Sequence, residues 1–316
     1  MWLIKSDDQT DTKHGKSPSE RTIDELIPTS VIISDKHSGP TSHQISNWIK
    51  EIFQLKKVGH AGTLDPAVTG VLPVALENSV KAMPLLMGLD KEYVGMMHLH
   101  KDVPEDLIRS TILNFIGRIK QLPPVKSAVA RKLREREIYF FDILEIDGKD
   151  VLFKVGCEAG TYIRKLVHDI GVQLKVGAHM SELRRTRVGD FTEDISHSLV
   201  EVKDAVEFWK EGDEKLLKKL LIPVEYAILH AKKVFVKDSA IASVVNGSPV
   251  FASGISRIQK DIIRGETIAV FSLKEELVSI GIAKMTSEEM LNKKRGVAVR
   301  TDRVFMQKGI YPSWKK

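Results

Sequence analysis

Apolar residues along the chain come in short runs broken by polar and glycine-bearing stretches. Residues 1–30 are polar, and Asp7 to Arg21, rich in Ser, Thr, Asp and Lys, predicts a loop or mobile segment. Val31-Ile32-Ile33 predicts a buried strand ending at Ser34-Asp35. Lys36 to Thr41 then carries a Gly-Pro break. Thr41 followed by Gln44 forms a capping box, and Ile45, Trp48, Ile49, Ile52 and Phe53 recur at helical spacing, so a helix begins there. Residues 56–70 hold three glycines and few large apolar side chains, as a loop does. Val71 to Leu76 and Tyr93 to His100 predict strands, and Glu105 to Phe115 predicts a helix with Leu107, Ile108, Ile112 and Phe115 on one side. Ile138 to Ile146 and Val151 to Cys157 flank Asp147-Gly148-Lys149-Asp150, a hairpin signal. Thr161 to Leu174 predicts an amphipathic helix, and Val188 to Phe191 resumes extended structure.

The pattern changes near Leu221-Ile222-Pro223. Beyond it, short strand-like runs at Lys233 to Val236, Pro249 to Phe251, Thr267 to Phe271, Leu277 to Ile282 and Gly296 to Val299, with one helix over Ser239 to Val245, suggest a small β-barrel. The expected class is α+β: a mixed, largely antiparallel sheet with flanking helices, followed by the barrel. The expected organisation is an extension over 1–30, a larger domain over 31–230 and the barrel over 231–310. Neither a G-x-G-x-x-G turn after a strand nor a Walker loop is present.

Composition narrows the function class. The 316 residues are 42% hydrophobic and 28% charged, which suits a globular fold and excludes wholesale disorder. No apolar run reaches the roughly 20 residues of a membrane span, and the N-terminus lacks the makings of a signal peptide. The one cysteine, Cys157, rules out an internal disulfide framework and a cysteine-rich zinc site, so a reducing, cytoplasmic setting is expected. Net charge is +6 and is unevenly spread. Arg118 to Glu137 carries seven basic and two acidic residues, and Lys284 to Lys316 carries nine basic and three acidic. Such clusters fit a polyanionic partner, although solvated charged faces would look the same.

Three stretches carry candidate chemistry. In Gly59-His60-Ala61-Gly62-Thr63-Leu64-Asp65-Pro66-Ala67-Val68-Thr69-Gly70, an acid stands before a proline in a glycine-bounded loop anchored by the following strand. That placement aims Asp65 into a cleft, or makes it the cap of an Asx turn. In Ala159-Gly160-Thr161-Tyr162-Ile163-Arg164, Thr161 is a candidate helix cap. Arg164 then falls at a helix N-terminus, where a cation is out of place unless a carboxylate faces it. In Glu182-Leu183-Arg184-Arg185-Thr186-Arg187, three arginines within four residues suit phosphate contact or a solvated basic turn. His98 and His100 form an H-x-H pair, read as structural because no third ligand is evident. Cys157, in an apolar strand, is read as an inert buried thiol.

Taken together, these motifs resemble the TruB class of pseudouridine synthases. The likeness extends through Leu72-Pro73-Val74, Asp35-Lys36 with Gly39-Pro40-Thr41-Ser42-His43, Gln121 to Ala128, Gly177-Ala178-His179-Met180 and Leu183-Arg184-Arg185. Lys233 to Gly247 and Gly281 to Met290 resemble a PUA domain, an RNA-binding barrel. Met97 to Pro104 and Arg136 to Leu152 resemble the archaeal and eukaryotic dyskerin branch, and the short ending at Trp314-Lys315-Lys316 favours an archaeal setting. The resemblance implies isomerisation of uridine to pseudouridine in rRNA or tRNA, without a cofactor or a metal. It implies Asp65 as the catalytic carboxylate, acting as nucleophile or base, with Arg164 paired to it. It implies Tyr93 stacked on the uracil, Tyr162 and Leu183 lining the pocket, His60 near the flipped nucleotide, and Lys36 supporting the loop from behind.

The implied partners are a box H/ACA guide RNA and three small proteins: zinc-binding, glycine/arginine-class and kink-turn-binding. Residues 1–30 are implied to pack beside the PUA domain. The chain departs from the branch at His37, Ala61 and Ala67, where proline, serine and lysine are usual; none of these removes a group the reaction needs. A stand-alone tRNA T-arm enzyme and a non-catalytic RNA-binding scaffold are the competing readings.

Overall fold

The computed structural model describes residues 1–123 and 132–313. Pro124 to Ala128 of the motif above, Lys126 and Arg131 of the basic segment, and Trp314 to Lys316 lie outside them.

The strands in chain order are β1 (Trp2–Ile4), β2 (Ser30–Lys36), β3 (Val58–His60), β4 (Thr69–Leu76), β5 (Lys91–Leu99), β6 (Gly117–Gln121), β7 (Arg134–Asp147), β8 (Asp150–Cys157), β9 (Ala178–Val188), β10 (Phe191–Thr192), β11 (Ile222–Pro223), β12 (Lys233–Val236), β13 (Val250–Phe251), β14 (Ile255–Gln259), β15 (Thr267–Phe271), β16 (Leu277–Ala283) and β17 (Val297–Val304). The larger sheet runs β11-β2-β4-β9-β5-β8-β7-β6, with β3 on β4 and β10 on β9. Among the described residues the β4–β9 strand pairing is the only parallel one within it, beside an isolated parallel bridge from Ser34 to His197. The α+β expectation holds, with a mixed, largely antiparallel sheet and flanking helices.

Local chemistry accounts for much of this. The helix over Ser42–Ile52 starts at Thr41, whose hydroxyl accepts the Gln44 N–H while the Gln44 side chain returns to the Thr41 N–H. It buries Ile45 and Ile49, whereas Trp48, expected on the same face, is 38% exposed and stacks on His37. β7 and β8 join through Gly148, whose φ of +57° suits a two-residue hairpin. In β4, Pro73 lies opposite Ile33 of β2. Its other edge is where β9, bound at Thr69 and Gly70, gives way to β3, bound from Val74. The missing proline N–H therefore falls in a gap between partners.

The second sheet runs β1-β14-β12-β15-β16-β17-β13 and curls around Val234, Ile241, Ile258, Ile268, Val270 and Val299. Its other face is not free. Phe235, Phe271, Leu277, Ile280 and Phe305 pack with Val31, Val71, Ala75, Val188 and Phe191 of the larger sheet in one apolar cluster. The N-terminal stretch is also held. β1 pairs with β14, Asp238 binds Thr10 and the Asp11 N–H, and Glu276 accepts the Lys16 N–H. Arg21 forms a two-pronged ion pair with Glu225, itself 3% exposed, and Glu225 also accepts the Leu277 N–H. The segment read as a loop or mobile stretch is a loop tethered at several points.

Candidate active site

Asp65 lies on the connection between β3 and β4. Ala61 N–H bonds to the Pro73 carbonyl, Leu64 N–H to Ser42 Oγ and Val68 N–H to the Asp65 carbonyl, which shapes the loop into a turn around the acid. Lys36, fully buried, donates from Nζ to the carbonyls of His37 (2.9 Å), Pro66 (2.9 Å) and Val68 (2.7 Å). It holds the loop from behind. Burial pushes its ammonium pKa down, and Asp65 opposes that shift.

The Asp65 carboxylate does not cap its own loop. It pairs with the Arg164 guanidinium, 99 residues away in sequence. The two side chains are 52% and 57% exposed, so the pair opens to solvent. Arg164 occupies the first turn of the Ile163–Gln173 helix, and Asp65 is the anion that this position calls for. Thr161 does not cap the helix: its hydroxyl donates to the Glu158 carbonyl, and the cap position is Tyr162. Gln121, 2% exposed, fixes that residue from β6. Its Oε1 accepts the Tyr162 N–H at 2.9 Å and its Nε2 donates to the Tyr162 carbonyl at 3.1 Å.

Tyr93 and Leu183 reach the same place from adjacent strands. On β5 the inward positions are Lys91, Tyr93, Gly95, Met97 and Leu99, and β9 pairs Arg185 with Tyr93 and Leu183 with Gly95. Leu64 and Val68 of the loop, Ile163 beside Tyr162, Tyr93 and Leu183 belong to one buried cluster. Asp65, paired with Arg164, also acts electrostatically on the Tyr93 phenol, and Tyr162 is joined to Ile163 of the same cluster. His60 stands at the far end of the loop, 3.4 Å from Ser46 Oγ. Burial, followed by His43 and Arg185, pushes its pKa down, so it is neutral near pH 7.

The three-arginine stretch is neither a solvated turn nor a free phosphate grip, because it lies within β9. Arg184 pairs with Asp35 and Glu193, and Arg187 faces Glu92. Arg185 is 1% exposed and donates to the carbonyls of Val71 (2.7 Å) and Gly62 (3.0 Å). Its positive charge also acts on Tyr93, which offsets part of the rise that burial imposes on the Tyr93 phenol pKa. A Cβ at Gly70 would stand 2.2 Å from the Arg185 carbonyl oxygen, at a φ of +101°, so only glycine lets β4 and β9 meet here.

Sequence reasoning missed Lys91 and the roles of Arg185 and Gln121. Lys91 is 5% exposed and donates to the carbonyls of Met87 and Leu89. Burial, reinforced by Arg185, lowers its pKa to about 8. The available signal was phase: Lys91 falls on the inward positions with Tyr93, and Arg185 with Leu183. The H-x-H pair gains a third ring, since His100 bonds His179 at 3.1 Å and His98 bonds Asp150 at 2.7 Å. Among the described residues no such group is arranged to hold a metal ion. Cys157 is buried and its thiol pKa is pushed up to about 12, as an inert thiol requires. No helix of the described residues is long and apolar enough to cross a membrane.

Residues 50–163 match the TruB family pseudouridylate synthase N-terminal domain, and 164–229 match the tRNA pseudouridylate synthase B C-terminal domain. Residues 232–305 match the PUA domain and 1–46 the DKCLD (NUC011) domain. A probable tRNA pseudouridine synthase B of Methanopyrus kandleri is 50% identical over 98% of this chain and 92% of its own length. Its namesake in Methanocaldococcus jannaschii is 49% identical over 99% and 94%. A crystal structure of a Cbf5-Nop10-Gar1 complex contains a chain that is 49% identical, superposes with a TM-score of 0.94 and is matched over 99% of this chain and 96% of its own. An H/ACA RNP bound to a substrate RNA containing 2′-deoxyuridine contains one that is 48% identical, with a TM-score of 0.92 over 99% and 96%. With half its residues shared along nearly the full length of these relatives, this chain belongs to the TruB family of pseudouridylate synthases.

Proposed function

We propose that this chain isomerises uridine to pseudouridine in rRNA and tRNA, at sites chosen by a box H/ACA guide RNA. The observation that carries the reading is the Asp65–Arg164 pair, on a clamped loop whose Leu64 and Val68 pack in one cluster with Tyr93, Ile163 and Leu183. The reaction breaks the N1–C1′ bond, turns the base and joins its C5 to C1′. It needs a fixed carboxylate at the sugar and a pocket that retains the freed base. Asp65 is the catalytic group, acting on the sugar as nucleophile or base, and Arg164 holds it in place. Tyr93 packs on the uracil, Tyr162 and Leu183 wall the pocket, and His60 meets the extruded nucleotide. Flipping the target costs a few kcal/mol, and an aromatic stack returns about 1–3 kcal/mol. The half-exposed Asp65 is closed off from water when RNA covers it.

The division into an extension (1–30), a catalytic domain (31–230) and an RNA-holding PUA domain (231–310) is the organisation we adopt. The family-model boundary between 229 and 232 supports it. Related chains within an H/ACA RNP and a Cbf5-Nop10-Gar1 complex support guide RNA, substrate RNA and three small proteins (zinc-binding, glycine/arginine-class and kink-turn-binding) as partners. Archaeal relatives, in cells without a nucleus, support a cytoplasmic setting. The curated relatives' name also favours a second reading, action on tRNA without a guide. The test is pseudouridylation of a guide-matched RNA and of a tRNA transcript, with and without guide RNA and the three proteins. Turnover of the matched RNA only with the guide supports the first reading, guide-free turnover of tRNA supports the second, and no turnover of either overturns both.

A further inference from the structure

Beneath the Asp65 loop lie three buried cations, Lys36, Lys91 and Arg185, at 0%, 5% and 1% exposure, to which only loop support has so far been assigned, and that to Lys36 alone. Among the described residues none has a carboxylate hydrogen-bonded to it; backbone carbonyls of His37, Pro66, Val68, Met87, Leu89, Val71 and Gly62 accept their hydrogen bonds, and Arg185 also acts electrostatically on Tyr93. They lie within mutual electrostatic reach, since Arg185 acts on both Lys36 and Lys91. The anions facing this group are few. Asp65 acts on Lys36 and is already paired with Arg164. Asp90 faces Lys91 but accepts the Tyr139 hydroxyl, and the Cys157 thiol stays protonated near neutral pH. Loop support alone could come from neutral donors. Burying like charges together is costly unless a negative charge appears nearby.

We infer that Lys36, Lys91 and Arg185 form an electrostatic floor that stabilises the negative charge developing on the uracil as its glycosidic bond breaks. This rests on the reading of the site given above. When N1–C1′ breaks, the bonding pair leaves with the base, giving a uracil monoanion delocalised over N1, O2 and O4. The electron-poor C1′ is then satisfied by Asp65, either through an ester or after loss of a sugar proton to it. When C5 later bonds to C1′, the C1′–O ester bond to Asp65 breaks, or on the other route the sugar first regains the proton held by Asp65. The C5 proton is then lost and N1 is protonated, so the carboxylate is restored and the net change is isomerisation. Arg185 is the cross-strand partner of Tyr93, the ring proposed to carry the uracil, and acts electrostatically on its phenol, so the floor sits near where that charge forms. A fixed unit charge a few ångströms beyond contact, at an effective dielectric constant of about 20, is worth roughly 10- to 100-fold in rate.

The test is single-turnover loss of the N-glycoside in the assembled, guide-directed particle, with uridine or 5-fluorouridine at the target. Fluorine stabilises the departing anion and lowers the demand on the protein. Lys91→Met is expected to slow uridine cleavage about 10- to 100-fold and 5-fluorouridine cleavage much less. Equal losses on both would show that Lys91 only shapes the loop, and would overturn the inference. A second readout does not depend on that variant folding. The floor needs Lys91 protonated, so the wild-type rate on uridine falls as pH rises through about 8, while Lys91→Arg stays flat across that range. A wild-type profile that stays flat contradicts the floor. Absence of turnover in the wild type at any pH would instead count against the proposed function itself.

Discussion

Gln121→Ala should release the residue that starts the Ile163–Gln173 helix. Two hydrogen bonds are lost at once, at 2.9 and 3.1 Å, and Tyr162 has no side-chain cap of its own to replace them. A buried polar group left unpaired costs about 1–3 kcal/mol. Tyr162 is half-buried, so water repairs part of the loss and the sum expected is about 2–3 kcal/mol. The same change loosens the first turn, which carries Arg164, and thereby the guanidinium on Asp65. Misplacement by about 1 Å costs up to 100-fold in rate, so a 10- to 100-fold fall is expected. The assays are urea unfolding of the full chain and single-turnover pseudouridylation. Gln121→Glu keeps the acceptor but not the donor at neutral pH and should fall between wild type and alanine in both. Wild-type stability and rate for Gln121→Ala would refute the reasoning.

Arg164→Met should cost about 100-fold or more in single-turnover rate, with little change in thermal stability because the ion pair it breaks is half exposed. A rate within a few-fold of wild type would remove Arg164 from the site. Arg21→Ala leaves Glu225 at 3% exposure without its cation, and should destabilise the chain by about 3–5 kcal/mol in chemical unfolding. A loss below about 1 kcal/mol would show that the N-terminal stretch is not clamped there.

How legible each part was depends on the range of the interaction that makes it. The Ser42–Ile52 helix and the Asp147-Gly148 hairpin were legible because a capping box and a turn dipeptide act over three or four residues. The Asp65 loop was legible because glycines permit backbone angles closed to other residues and Pro66 keeps Asp65 out of a helix, both local effects. β1 was not: Trp2 to Ile4 is strand only because β14, in the distant half of the chain, offers it an edge. β9 misled for a related reason. Arg184, Arg185 and Arg187 look like a surface turn until Asp35, Glu193, Glu92 and the carbonyls of Val71 and Gly62 arrive from other strands to satisfy them. Trp48 had core spacing, yet its ring ended against His37 at the rim. In each of these cases the deciding partner was remote in sequence, and the residue type alone pointed to its commoner use.

The inference that Arg164 wants an anion was local, whereas the identity of that anion came from the loop 99 residues earlier. That junction is where the account is most exposed. Asp65→Asn preserves the shape of the side chain and removes its charge. In the guide-directed particle it is expected to bind target RNA with near wild-type affinity and to form no pseudouridine above background. Substantial turnover by Asp65→Asn, with the RNA bound and the product verified, would contradict the central claim.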